Sequence, residues 1–162
     1  MNSKRVDYRL ADEKAAREFL SWKYPSPYDI YNALPEFYDE DLRYQTDPMN
    51  NIYGMYSQDN ELIGYCSYGF DAQVPGGDYS EDALDIGLMV KPELTDMKLG
   101  SHFVCEVIRN GIEKYHPVKL RVTIAQFNKR ALRVWEKIGF KPVQVFKRIN
   151  DEMKFVVMTR DP

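Results

Sequence analysis

Apolar and polar residues alternate along this chain with two periods, and the switches between those periods mark its elements. The clearest stretch is 85–103. An apolar run over 86–90 is short enough for a strand, and Pro92 stops it. A polar turn covers 91–98. Leu99, Phe103, Val107, Ile108 and Ile112 then recur at helical spacing, which predicts a helix from near Leu99 to about Tyr115. Upstream, Val6, Tyr8 and Leu10 predict a strand over 5–10 with all three on one face. Asp12 predicts an N-cap, and Ala15, Ala16, Phe19 and Leu20 form the buried stripe of a helix to about Ser21. Pro25 and Pro27 disfavour helix, so Tyr24, Tyr28 and Tyr31 fall on a shaped loop before a second helix over 35–43. Strands over 52–57 and 62–70 flank a turn-forming Gln58-Asp59-Asn60-Glu61 and read as an antiparallel hairpin. Residues 73–79 read as an exposed loop.

Past the central helix, His116-Pro117 is a stop. A strand over 118–125 places Leu120, Val122 and Ile124 on one face and Lys119, Arg121 and Thr123 on the other. Asn128 caps a helix over 129–138, and Gly139 closes it. Strands over 140–149 and 153–160 form a last hairpin around Asn150-Asp151-Glu152. The order β-α-α-β-β-β-α-β-α-β-β predicts an α/β domain spanning 1–162. Its mixed sheet has about seven strands, a right-handed parallel pair (86–125) at the middle, and helices on both faces.

Composition narrows the function. A net charge of −3 argues against general nucleic-acid binding. Cys66 and Cys105 lack metal-ligand spacing and read as packed thiols of a reduced, cytoplasmic protein. His102 and His116 stand alone, so no metal is expected. No apolar run reaches the roughly 18–20 residues of a membrane span, and the N-terminus lacks the apolar core of a signal. The one feature that points to a ligand is the strand-loop-helix at 85–103, because unpaired N–H groups and the helix dipole both favour an anion there.

Three segments carry a resemblance to the GNAT acetyltransferase superfamily. Leu88-Met89-Val90-Lys91-Pro92 resembles its central strand entering the acyl-CoA loop. Lys98-Leu99-Gly100-Ser101 resembles the end of that loop. Asn128, Ala131, Trp135 and Gly139-Phe140 are spaced like its second signature. The chain departs from the family pattern where Thr95 replaces Arg or Gln, where Lys98 replaces the first glycine, and where Trp135 replaces a tyrosine that many members use to protonate the leaving thiolate. Asp96 adds a carboxylate close to the expected diphosphate, and Lys98 offsets it.

The resemblance implies an N-acetyltransferase in which an amine of a small molecule or peptide attacks acetyl-CoA directly. Leu88, Met89, Val90, Lys98, Leu99, Gly100, Ser101 and Asn128 would hold the cofactor, with a main-chain N–H of 88–90 polarising the thioester. Asn128 serves as cap, pantetheine contact or both. Lys129, Arg130 and Arg133 either meet the adenosine-side phosphate or form a plain charged face, and Trp135 lines the core. The preferred base is Asp85, with Glu81 and Asp82 as alternatives. Tyr24, Tyr28 and Tyr31 either hold the amine by cation–π contact, beside the acidic Glu36, Asp39, Glu40 and Asp41, or form a small aromatic core. A homodimer is compatible with this reading. The rival function is a catalytically silent acyl-CoA sensor on the same fold. A different nucleotide-binding loop is disfavoured because the glycine fingerprint is missing.

Overall fold

The computed structural model describes residues 5–95 and 97–162. Its strands are β1 (Asp7–Leu10), β2 (Ile52–Tyr56), β3 (Leu62–Tyr68), β4 (Leu84–Val90), β5 (Leu120–Ala125), β6 (Lys141–Lys147) and β7 (Lys154–Arg160). Its helices are α1 (Glu13–Ser21), α2 (Tyr38–Thr46), α3 (Gly100–Tyr115) and α4 (Lys129–Lys137). Seven strands form a mixed sheet in the order β1-β2-β3-β4-β5-β7-β6, with β4 and β5 parallel. The chain divides into two compact units. One holds the described residues up to Ser67 together with Leu88–Leu99; the other holds Tyr68–Gly87 and Gly100–Pro162.

In the first unit, the Asp12 carboxylate accepts the Ala15 N–H at 2.8 Å and starts α1. That helix buries Ala15, Ala16, Phe19 and Leu20, as its spacing predicts. Phe19 stacks on Tyr65 at 4.3 Å, and Trp22, Tyr24, Ile52 and Leu62 complete the cluster. The Asn32 side chain clasps the proline loop, accepting the Tyr24 N–H at 2.7 Å. The second helix is shifted C-terminally: a 3-10 turn at Pro35–Phe37 precedes α2. Leu10, expected beside Val6, is instead 50% exposed.

In the second unit, the Tyr68 hydroxyl donates to the Val107 carbonyl at 2.7 Å. Gly111 lets α3 lie on the Tyr68 ring, whose Cε1 would sit 2.8 Å from an added Cβ. His116 leaves α3 in the left-handed conformation, φ 47°. Asn128 Oδ1 accepts the Ala131 N–H at 3.1 Å and opens α4, and Gly139 closes it at φ 105°. β5 and β6 both pair antiparallel with β7. Cys105, expected to be buried, is exposed.

Candidate active site

Alternation along β4 decides what its main chain can reach. The Gly69 N–H donates to the Asp85 carbonyl at 2.8 Å, and the Lys91 N–H to the Ile63 carbonyl at 2.9 Å. Odd-numbered residues of this strand therefore face β3. Met89 is one of them: an added Cβ on Gly64 would sit 2.7 Å from its carbonyl oxygen. Even-numbered residues face the other way. The Leu84 N–H bonds the Lys119 carbonyl at 2.8 Å on that side. The Met89 side chain packs against the aromatic cluster. The Met89 carbonyl is thus turned toward Gly64 of β3, and Leu88 and Val90 alternate with it along the strand.

Tyr24 is placed by its hydroxyl, which donates to the Val90 carbonyl at 2.7 Å. Burial pushes that hydroxyl's pKa up, with Tyr65 and Glu93 adding to the effect, so it stays protonated and keeps donating. Its ring belongs to the core, which selects the aromatic-core alternative over a contact to the amine for Tyr24. Its role is to pin the end of β4. Tyr28 and Tyr31 pack on the same cluster and remain partly buried.

After β4, Pro92–Leu94 form a 3-10 turn in which the Thr95 hydroxyl donates to the Pro92 carbonyl at 2.8 Å. The effect expected of Asp96 lies outside the described residues. Lys98 is exposed and holds φ 56°, a left-handed conformation that usually favours glycine. Leu99, Gly100 and Ser101 follow, all partly buried. Gly100 opens α3 and faces α4, where an added Cβ would lie 3.2 Å from Val134. The first N–H groups of α3 have no partner within the helix.

Asp85 is buried, its side chain 3% exposed. Its Oδ1 accepts from Arg121 Nε at 2.6 Å. Its Oδ2 accepts from Arg121 Nη2 at 2.8 Å and from Gln73 Nε2 at 2.9 Å. A carboxylate held by three donors in an ion pair is a poor proton acceptor, which argues against the expected base. Arg121 also departs from its expected polar face. It is 3% exposed, and the Asp85 carboxylate raises its guanidinium further above the ordinary value, against the cost of burial. Glu81 accepts from Lys119 at 2.8 Å. Asp82 is exposed and has no bonded partner among the described residues. Trp135 is buried, edge-on to Phe140 at 5.0 Å between centroids, as core lining requires.

Sequence reasoning missed the Arg121 partner and Gly64. The signal for the first was present: Leu84-Asp85 and Leu120-Arg121 place opposite charges at the second position of two apolar strands. Gly64 carried no signal beyond being a glycine inside a strand.

The sequence family described as the acetyltransferase (GNAT) domain matches residues 4–141. No curated protein sequence matches the chain. Among solved structures, a GNAT-family acetyltransferase from Bacillus anthracis is similar at 15% identity and TM-score 0.74, covering 98% of this chain and 95% of that one. A spermidine N-acetyltransferase SpeG chimera from Vibrio cholerae and hSSAT is 13% identical with TM-score 0.72, over 97% and 95% of the two chains. An aminoglycoside acetyltransferase, AAC(6')-Ib, in complex with coenzyme A is 18% identical with TM-score 0.72, over 96% and 94%. At these identities the likeness establishes the fold.

Proposed function

The chain belongs to the GNAT acetyltransferase family, and from that premise we propose that it transfers an acetyl group from acetyl-CoA to an amine of a small molecule or peptide, as one catalytic domain over 1–162. The observation that carries the reading is Lys98 at φ 56°. A left-handed residue ahead of α3 is the conformation a glycine would supply in an anion-binding loop, and we assign the diphosphate to the main-chain amides of this loop. The residues fit acetyl-CoA in three further respects. Gly100 leaves the start of α3 without a side chain. Leu88 and Val90 alternate with Met89 along β4, and we assign the N–H of one of them to the thioester carbonyl. Asn128 contacts the pantetheine arm from its place at the head of α4.

Acetyl-CoA supplies the activated acyl group. This chain orients it, brings the amine in line and takes up a proton. With Asp85 and Glu81 engaged in ion pairs, we assign the amine proton to Asp82, directly or through water. The Trp135 indole has no acidic proton near neutral pH, so the thiolate is protonated by another group. Tyr28 and Tyr31 wall the acceptor side, and the exposed Glu36, Asp39 and Glu40 attract its cation. The reading places the protein in the cytoplasm, acting without a metal.

Isothermal titration with acetyl-CoA tests the proposal, followed by thiol release across a panel of small amines and N-terminal peptides. Binding with turnover is expected. No heat and no thermal shift at millimolar acetyl-CoA removes it. A silent sensor is the second reading, favoured by Trp135 being locked against Phe140 in place of a proton donor. Binding without thiol release for any amine selects it.

The loop gives a separate prediction. A left-handed non-glycine residue costs about 1 kcal/mol. Lys98→Gly should therefore leave thermal stability equal or slightly higher while weakening acetyl-CoA about fivefold, with a shallower dependence on salt. Unchanged affinity at all salt concentrations would make Lys98 a solvated loop residue.

A further inference from the structure

Within the β3–β4 connection, residues 69–83, the sequence predicts an exposed loop over 73–79. The connection is tied down within its own unit at several points. Gln73 Nε2 donates to Asp85 at 2.9 Å, and Arg121 Nη1 donates to the Glu81 carbonyl at 2.9 Å. The Tyr79 hydroxyl bonds Thr123 Oγ1 at 2.9 Å and accepts the Val74 N–H at 2.9 Å. The Arg121 guanidinium lies over the Tyr79 ring, 5.0 Å from its centroid. The Ile149 N–H donates to the Pro75 carbonyl at 3.1 Å, and the Asp78 N–H to Gln144 Oε1 at 3.0 Å. Gly76, at φ 111°, passes so near the Lys147 carbonyl that a Cβ would lie 2.7 Å from it.

Asp85 and Arg121 are the centre of this network. They are register partners on the parallel strands, and their side chains are 3% and 4% exposed. We propose that the buried Asp85–Arg121 pair is a positioning clasp, holding residues 69–83 as an ordered wall of the acceptor side and not as a mobile lid. The proposal rests on the acetyltransferase reading. An apolar pair of similar volume would join the strands equally well. Only the charged pair also reaches out, through the second carboxylate oxygen to Gln73 and through the third guanidinium nitrogen to the Glu81 carbonyl. A bidentate fork fixes direction as well as distance. Asp85 stands three residues before Leu88, about 10 Å along an extended strand. The acetyltransferase reading puts the acceptor at this end of β4, so a shift here reaches it first. The cofactor end is pinned separately by Tyr24 on Val90 and by Lys91 on Ile63.

The test is the double variant Asp85→Leu/Arg121→Met, which removes the charges together. Its melting temperature should stay within a few degrees of the native protein, and its acetyl-CoA affinity by titration should be unchanged. Amine kcat/KM should fall about tenfold or more, and protease cleavage within 69–83 should accelerate. Wild-type amine kinetics together with wild-type protease resistance would reduce the pair to filler and overturn the clasp. If the double variant does not fold, Arg121→Lys keeps the charge and loses the fork, and the same split between amine and cofactor is expected. A native protein that turns over no amine defeats the acetyltransferase reading. Cleavage within 69–83 then still decides the clasp by itself.

Discussion

Gly64→Ala is expected to lower kcat/KM at least tenfold, and Gly64→Val about a hundredfold, with acetyl-CoA binding weakened in step. Strand propensity predicts the opposite sign, because valine in a strand is favoured over glycine by up to about 1 kcal/mol. The local contact overrides it. A Cβ at residue 64 would lie 2.7 Å from the Met89 carbonyl oxygen and 3.6 Å from the Val90 Cα, so backbone must move. The backbone that moves carries the Leu88 and Val90 N–H groups, one of which is assigned to the thioester. A misplacement approaching 1 Å costs on the order of a hundredfold in rate. Steady-state kinetics, titration with acetyl-CoA and a melting curve on the same samples check this. If Gly64→Val binds and reacts like the native protein, the close approach of β3 does not set the position of β4.

The second large effect is on stability. Arg121→Met leaves the Asp85 carboxylate buried with Gln73 as its remaining donor, and Asp85→Leu strands the guanidinium in the same place. Removing one partner of a buried pair costs about 3–5 kcal/mol, because the other charge stays desolvated. In a domain of this size that lowers the melting temperature by roughly 10 °C. Arg9→Met provides the contrast. Its bond to Asp7 lies at the surface, both side chains about half exposed or more, so the loss should stay under about 1 kcal/mol. Calorimetry on the three variants decides it. An Arg121→Met protein melting within 2 °C or so of the native one would mean that water reaches the pair after all.

The helices and their caps were legible because each is specified by neighbours in sequence. Asp12 and Asn128 cap through the amide three residues on, and both do so at the predicted positions. The α1 stripe needed only the 3.6-residue period. Arg121 shows where that logic stops. Alternation on β5 correctly buried Leu120, Val122 and Ile124, and it turned Arg121 toward the other face. That this other face is also closed depends on Asp85, Tyr79 and Gln73, which come from a distant part of the chain. Tyr24 was undecided for the same reason. Its loop was recognised, but its hydroxyl partner is a carbonyl on a strand 66 positions away.

What the sequence determined by itself is the order of elements, the family, and the strand-loop-helix that would receive an anion. Periodicity, caps and turn residues are short-range properties, and a short window contains all of their causes. The tertiary structure decided which groups remain available for chemistry. It engaged Asp85, turned the Met89 carbonyl toward β3, committed Tyr24 to Val90 and left Asp82 without a partner among the described residues. Availability depends on what a polar group already bonds. In a folded chain those bonds are made by residues brought together across long loops, whose identity no local pattern records.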